Sequence, residues 1–172
     1  MMKKAFLILT LIMICFSCKK NKQIKKSEIA KETTDKYINF NKYTFNTINK
    51  TKEKVSLSEG KKYILDFWYL ECAPCVKQHK QLQEYQNQLL KNDIEIIGIS
   101  IDRSQKNWRE YLVEHQYNWK NYNQFNEEND LKNDLDIKLF PTYYYVDGKG
   151  VIFKKFNSFQ KAITYLNLEI SL

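Results

Sequence analysis

Apolar residues fall into blocks whose spacing switches between the period of a strand and that of a helix. Residues 62–69, KYILDFWY, are nearly all apolar and rich in β-branched and aromatic side chains, which predicts a central strand covered on both faces. Residues 73–91 then carry Val76, Leu82, Tyr85 and Leu89 at helical steps, one stripe along a helix, with His79 on the same stripe. A second buried strand, IEIIGISI, spans 94–101. Asp102-Arg103-Ser104 ends it and starts a helix lined by Trp108, Tyr111 and Leu112.

The flanks follow the same logic. Residues 43–48 and 53–57, on either side of a turn-like 49–52, predict a short hairpin ahead of the first central strand. Residues 118–122 read as a further strand near Trp119, and the polar stretch 126–134 as a short helix. Strands at 142–146 and 151–156 are joined by Asp147-Gly148-Lys149-Gly150, a strong hairpin signal. Ser158 caps a last helix to about residue 168, with Phe159, Ile163, Leu166 and Ile170 on its buried side. A hairpin, three β-α units and a β-β-α ending predict one α/β domain over 38–172, a mixed sheet with helices on both faces. His79, Trp108 and Trp119 are expected in its core, although His79 is also a candidate acid/base group near the cysteines described below.

The N-terminus differs. Lys3 and Lys4 precede an apolar run at 5–16, followed by Ser17 and Cys18, which is the layout of an export signal over 1–18 and is too short to span a bilayer comfortably. A small residue directly before a cysteine resembles a bacterial lipoprotein cleavage site, so Cys18 is the expected lipidation site; simple secretion and an uncleaved anchor are the alternatives. Residues 19–37 are polar, Lys-rich and aperiodic, the texture of a tether. The expected location is therefore a membrane-anchored domain facing the periplasm. The chain carries a net charge of +8, and losing Lys3 and Lys4 with a leader would leave +6, spread over lysines with no arginine cluster. That argues against nucleic acid as a partner and fits a solvated basic face, or a protein held near an anionic membrane.

Of four cysteines, only Cys72 and Cys75 fall in the folded part. In Cys72-Ala73-Pro74-Cys75 the first thiol stands at a helix N-terminus, where unpaired backbone N–H groups favour a thiolate, and Pro74 suits a first turn that has no use for its N–H. Two thiols at this spacing close a small disulfide ring. A structural zinc site would need four ligands, which His79 and His115 alone would have to complete. A lone pair in an oxidising compartment points to redox chemistry.

Taken with Asp66-Phe67-Trp68, Phe140-Pro141-Thr142 and the closing hairpin, the CxxC site resembles those of thioredoxin-fold proteins. The leading hairpin and the Trp-bearing helix after Ile99-Ser100-Ile101-Asp102 look like the TlpA/ResA-type thioredoxin-like lipoproteins, over about residues 40–168. The resemblance implies a thioredoxin-like fold with an N-terminal hairpin and an extra central helix. It implies that Cys72 is the exposed attacking thiol and Cys75 the more buried resolving one, and that Pro141 is a cis-proline whose loop meets substrate. Phe140, Pro141, Trp68, Ala73 and Pro74 become the expected substrate contacts. Asp66 becomes the buried acid that takes the proton of Cys75, the alternative being an acid paired with a lysine.

Three positions depart from the family pattern. Glu71 stands where Trp is usual, Gln78 replaces an acid, and Lys80 replaces a helix-kinking proline. The Glu71 carboxylate opposes a Cys72 thiolate by about 1 kcal/mol in a partly wet site, close to the helix contribution, so Glu71 is expected to make the pair more reducing. The expected function is a membrane-tethered thiol-disulfide oxidoreductase, a reductase of exported proteins such as apocytochrome c, monomeric, supplied by a membrane electron donor. It needs no cofactor or metal beyond its own disulfide. Alternatives are an oxidant in the same compartment, a peroxiredoxin-like peroxidase and a thiolate carrier of a soft metal.

Overall fold

In a computed structural model of the protein, residues 36–168 are described; the expected leader, lipidation site Cys18, most of the tether and Ile170 lie outside them. With β1 at Phe45–Asn46 and β2 at Lys52–Glu53, seven strands of the described residues form one mixed sheet in the order β2-β1-β5-β4-β3-β6-β7. β3 (Lys62–Trp68) lies at its centre, parallel to β4 (Ile94–Ser100) and antiparallel to β6 (Thr142–Asp147). β4 is parallel to β5 (Lys120–Asn123), and β7 (Ile152–Phe156) closes the sheet beside β6.

The unbroken apolar run of β3 serves both faces because its side chains alternate. Tyr63, Leu65 and Phe67 enter a core with Phe45, Ile97, Ile99, Tyr144 and Leu131, whereas Ile64 joins Leu82, Leu89, Tyr143, Phe159 and Ile163 on the other side. That second side carries α1 (Ala73–Lys91) and α4 (Phe159–Leu166). α2 (Gln105–His115) brings Trp108 and Leu112 to a third cluster with Trp68, Cys72 and Cys75. Helices thus lie on both faces, unequally: among the described residues the opposite face has only α3 (Leu131–Asp134) and a 3₁₀ turn at Phe40–Lys42.

Serines cap helices as expected: Ser104 Oγ accepts from the Asn107 N–H and Ser158 Oγ from the Lys161 N–H. At the closing hairpin, Asp147 Oδ1 accepts from the N–H groups of Lys149 and Val151, and Gly150 supplies the positive φ of 87°.

Several boundaries differ from expectation. The N-terminal hairpin is only β1 (Phe45–Asn46) and β2 (Lys52–Glu53), since Thr47 and Thr51 close it through their hydroxyls after two residues of pairing. The helix expected over 126–134 shrinks to α3, because the Gln124 side chain holds Asn129 O and the Leu131 N–H in a bend. Lys36 and Tyr37, placed in the tether by composition, are tied to the sheet: Lys36 O accepts from the Ile152 N–H, and Tyr37 bridges Val151.

Candidate active site

β3 ends at Trp68, and residues 69–72 carry the chain into α1. Asp102 fixes this turn: its Oδ1 accepts the Leu70 N–H at 2.8 Å, while Oδ2 accepts the Ser100 hydroxyl at 2.6 Å. Asn123 completes the bracket, donating to Ser100 Oγ and to Asp102 O. Burial raises the Asp102 carboxyl above the usual aspartate range, a shift opposed by the hydrogen bonds from Ser100 and Leu70. The sequence reads Asp102 as the end of a strand and the start of a helix, and its bonds to Leu70 and Asn123, 32 and 21 residues away, give no local signal.

Cys72 is the N-cap of α1, and Cys72 Sγ accepts the Cys75 N–H at 3.3 Å. The two cysteines form a disulfide with Cα atoms 5.2 Å apart. Cys75 is fully buried and Cys72 keeps 4% of its surface. Cys72 is thus the more accessible cysteine, yet it is not the exposed one expected, because Tyr69, Leu70 and Phe140 pack against the cluster that holds it. Ala73 and Pro74 are exposed beside it.

The Phe140–Pro141 bond is cis, Pro141 is buried, and Phe140 stands half-buried with its ring edge-on to Tyr69 at 5.2 Å. Next to it Leu139 is 76% exposed, an apolar residue that sequence reasoning passed over. Trp68 differs from the expected surface contact. It is wholly buried, edge-on to His79 at 4.5 Å, because side-chain alternation along β3 turns it under α1 rather than outward.

Asp66 is fully buried on β3, and its Oδ2 lies 3.2 Å from His79 Nε2. The partner is therefore histidine, not the lysine weighed from sequence. His79 Nδ1 lies 3.3 Å from the Tyr111 hydroxyl, which lies 2.8 Å from that of Tyr117. Tyr143, directly across from Asp66 on β6, is also buried; burial first and Asp66 second hold its hydroxyl far above the ordinary tyrosine range. Tyr111 is raised likewise, by burial and then by its bond to Tyr117.

Glu71 is exposed and lines a surface cavity of about 420 Å³ with Tyr69, Ile101, Asp102 and Arg103. Gln78, read from sequence as a departure, joins two helices: its Oε1 accepts the Phe159 N–H at the start of α4, and its Nε2 donates to Pro74 O.

A CxxC disulfide capping the first helix after a central strand, together with a cis-proline that leads into an antiparallel strand, defines a thioredoxin-like protein. The chain belongs to the thioredoxin-like family, whose model matches residues 60–152. The thioredoxin-like protein YneN of Bacillus subtilis is 22% identical over 113 residues, a match spanning 64% of this chain and 64% of that relative's length. Among solved structures, the thioredoxin domain of a thiol-disulfide oxidoreductase from Bacteroides vulgatus superposes with a TM-score of 0.60 at 24% identity. It covers 73% of this chain and 91% of that one. A domain of a possible thiol-disulfide isomerase from Cytophaga hutchinsonii gives 0.62 at 21%, covering 72% and 84%.

Proposed function

We propose that the protein is a thiol-disulfide oxidoreductase that reduces disulfides in exported proteins, held at a membrane through Cys18 and supplied by a membrane electron donor. The observation that carries the reading is the asymmetry of the Cys72–Cys75 disulfide. One sulfur-bearing residue retains surface beside exposed Ala73 and Pro74, and the other has none.

Disulfide exchange uses this asymmetry directly. Cys72, reduced and favoured as thiolate by the N-terminal N–H groups of α1, attacks one sulfur of a partner disulfide, and the partner's second sulfur leaves as thiolate. Cys75 then loses its proton and attacks Cys72; the Cys72–Cys75 bond forms, the bond to the partner breaks, and two electrons have passed to the partner. Ala73, Pro74, Phe140 and Pro141 frame the surface on which the partner would lie, with Leu139 and Tyr69 adding apolar area for an extended segment. Trp68 supports them from beneath.

Glu71 bears on direction. An exposed carboxylate next to Cys72 disfavours the thiolate and so the reduced form, which suits a reductase. The short hairpin β1–β2 and the Trp-bearing α2 support a TlpA/ResA-type branch, with apocytochrome c among the protein substrates consistent with it.

Trapping tests the proposal. Cys75→Ser in the full chain should accumulate mixed disulfides with exported proteins, released by dithiothreitol, while Cys72→Ser should accumulate none. A dithiothreitol-reduced wild-type protein unable to reduce insulin or any other protein disulfide would sink it.

A further inference from the structure

We propose that His79 and Asp66 act as one proton-holding unit for Cys75, tuned by the Tyr111–Tyr117 hydroxyl pair; the inference rests on the thiol-disulfide reading above. Cys75 and His79 are four residues apart on α1 and both are buried, so their side chains are neighbours on one helix face. Asp66 reaches that face from β3 and gives Oδ2 to His79, while its Oδ1, also buried, has no hydrogen-bond partner among the described residues. A buried carboxylate with one idle oxygen is costly unless that oxygen receives something during function.

The hydrogen bonds around His79 work in two protonation states. With a neutral ring, Nε2–H donates to Asp66 and Nδ1 accepts from the Tyr111 hydroxyl, which accepts from Tyr117. With an imidazolium, both ring N–H groups donate, Tyr111 accepts from Nδ1, and its hydroxyl turns to donate to Tyr117. The unit therefore takes up one proton without leaving a buried donor unpaired. Trp68 at 4.5 Å and the Tyr117 ring at 5.2 Å wall the imidazole off, and aromatic faces tolerate a cation.

The surrounding charges leave His79 this role. Tyr143 faces Asp66 from β6; Tyr111, with His115 stacked on it and Glu114 beside it, faces His79 from α2. Tyr117 faces it from the segment before β5, and Cys72 and Cys75 lie on α1 itself. Tyr143 and Tyr111 stay protonated, and His115 is exposed, so His79 is the buried nitrogen base in contact with Asp66. Tyr117 lines a surface cavity of about 360 Å³ with Leu112 and Trp119, which gives the chain of hydroxyls an outlet.

In the resolving step the Cys75 S–H bond breaks and its proton passes to the Asp66–His79 unit. The thiolate forms the bond to Cys72 Sγ, and the partner departs as thiolate with the electron pair of the broken disulfide. The proton then leaves to solvent or to that thiolate. His79 is a positioning and proton-sharing residue; Asp66 is the group that meets the thiol.

The test uses a mixed disulfide of Cys72 with thionitrobenzoate, whose release on attack by Cys75 is followed by absorbance across pH. Wild type should show a rate that rises with pH as the Cys75 thiol gives up its proton. His79→Gln keeps an N–H for Asp66 but cannot hold the proton; its rate at neutral pH should fall by about tenfold, leaving only the later rise of the bare thiol. Tyr111→Phe removes a single oxygen and should slow release by about threefold at the same pH, with ¹⁵N imidazole shifts reporting an altered His79. The double variant Asp66→Asn/His79→Gln should be no slower than the slower single one. If His79→Gln and Tyr111→Phe both follow the wild-type pH–rate curve, the inference is wrong. A wild-type protein that releases no thionitrobenzoate at any pH would instead overturn the oxidoreductase reading.

Discussion

His79 Nε2 meets Asp66 Oδ2 at 3.2 Å across the interface of α1 and β3, with at most 2% of either side chain in contact with solvent. A buried acid thereby gains a titratable partner from the same helix that carries the resolving cysteine. The site thus couples its sulfur chemistry to the interior, whereas Glu71 and Asp102 act from the rim and from the supporting turn.

The two cysteines should fail differently. Cys72→Ala and Cys75→Ala are each expected to lower insulin reduction by at least about 100-fold. Only Cys75→Ala should still react stoichiometrically with a small disulfide, as read by mass spectrometry of the intact protein. Equal reactivity of the two variants would reverse the assigned roles.

Glu71→Gln removes a negative charge beside Cys72, which favours the thiolate and hence the reduced form. The redox potential should rise by about 20 mV, from an interaction of about 1 kcal/mol and about 30 mV per 1.4 kcal/mol. Equilibration with glutathione measures it. A potential that stays put or falls would show that the carboxylate is too well solvated to tune the pair.

Asp102 carries a pH dependence of stability. Its folded carboxyl is raised above the ordinary value of 3.8 by burial, so within that window the folded state holds a proton that the unfolded chain has released. Stability from this group is therefore greatest at low pH and declines as pH rises from 3.8 through the raised value. Urea midpoints across that range should show the decline in wild type and a flatter profile in Asp102→Asn.

Tyr143→Phe tests the buried hydroxyl facing Asp66. That oxygen has no hydrogen-bond partner among the described residues, so deleting it removes a desolvated group without breaking a bond. Stability should stay level or rise by up to about 1 kcal/mol. A loss greater than that in chemical denaturation would mean that a buried water links Tyr143 to the acid.

Much of the frame was legible because its signals are local. The unbroken run of β3, the Ala73–Lys91 extent of α1 and the Asp147–Gly150 turn follow from apolar runs, a cap and turn chemistry within a few residues. The hairpin β1–β2 was overestimated for the opposite reason: two hydroxyls, not strand propensity, decide where it closes. Resemblance makes Trp68 a substrate contact, and a near-continuous apolar strand does not announce which face each residue takes to correct it.

The order of elements and the redox pair at a helix N-terminus were determined by sequence alone, since backbone periodicity and capping act over one or two turns. The cis-proline and the role of Asp66 as the buried acid were accessible only through resemblance. The tertiary structure decided who partners whom: Asp66 with His79, 13 residues apart, and His79 with Tyr111, 32 apart. Such pairs form where the packing of β3, α1 and α2 brings polar groups together out of water. Buried donors and acceptors must then satisfy one another, whatever their separation along the chain.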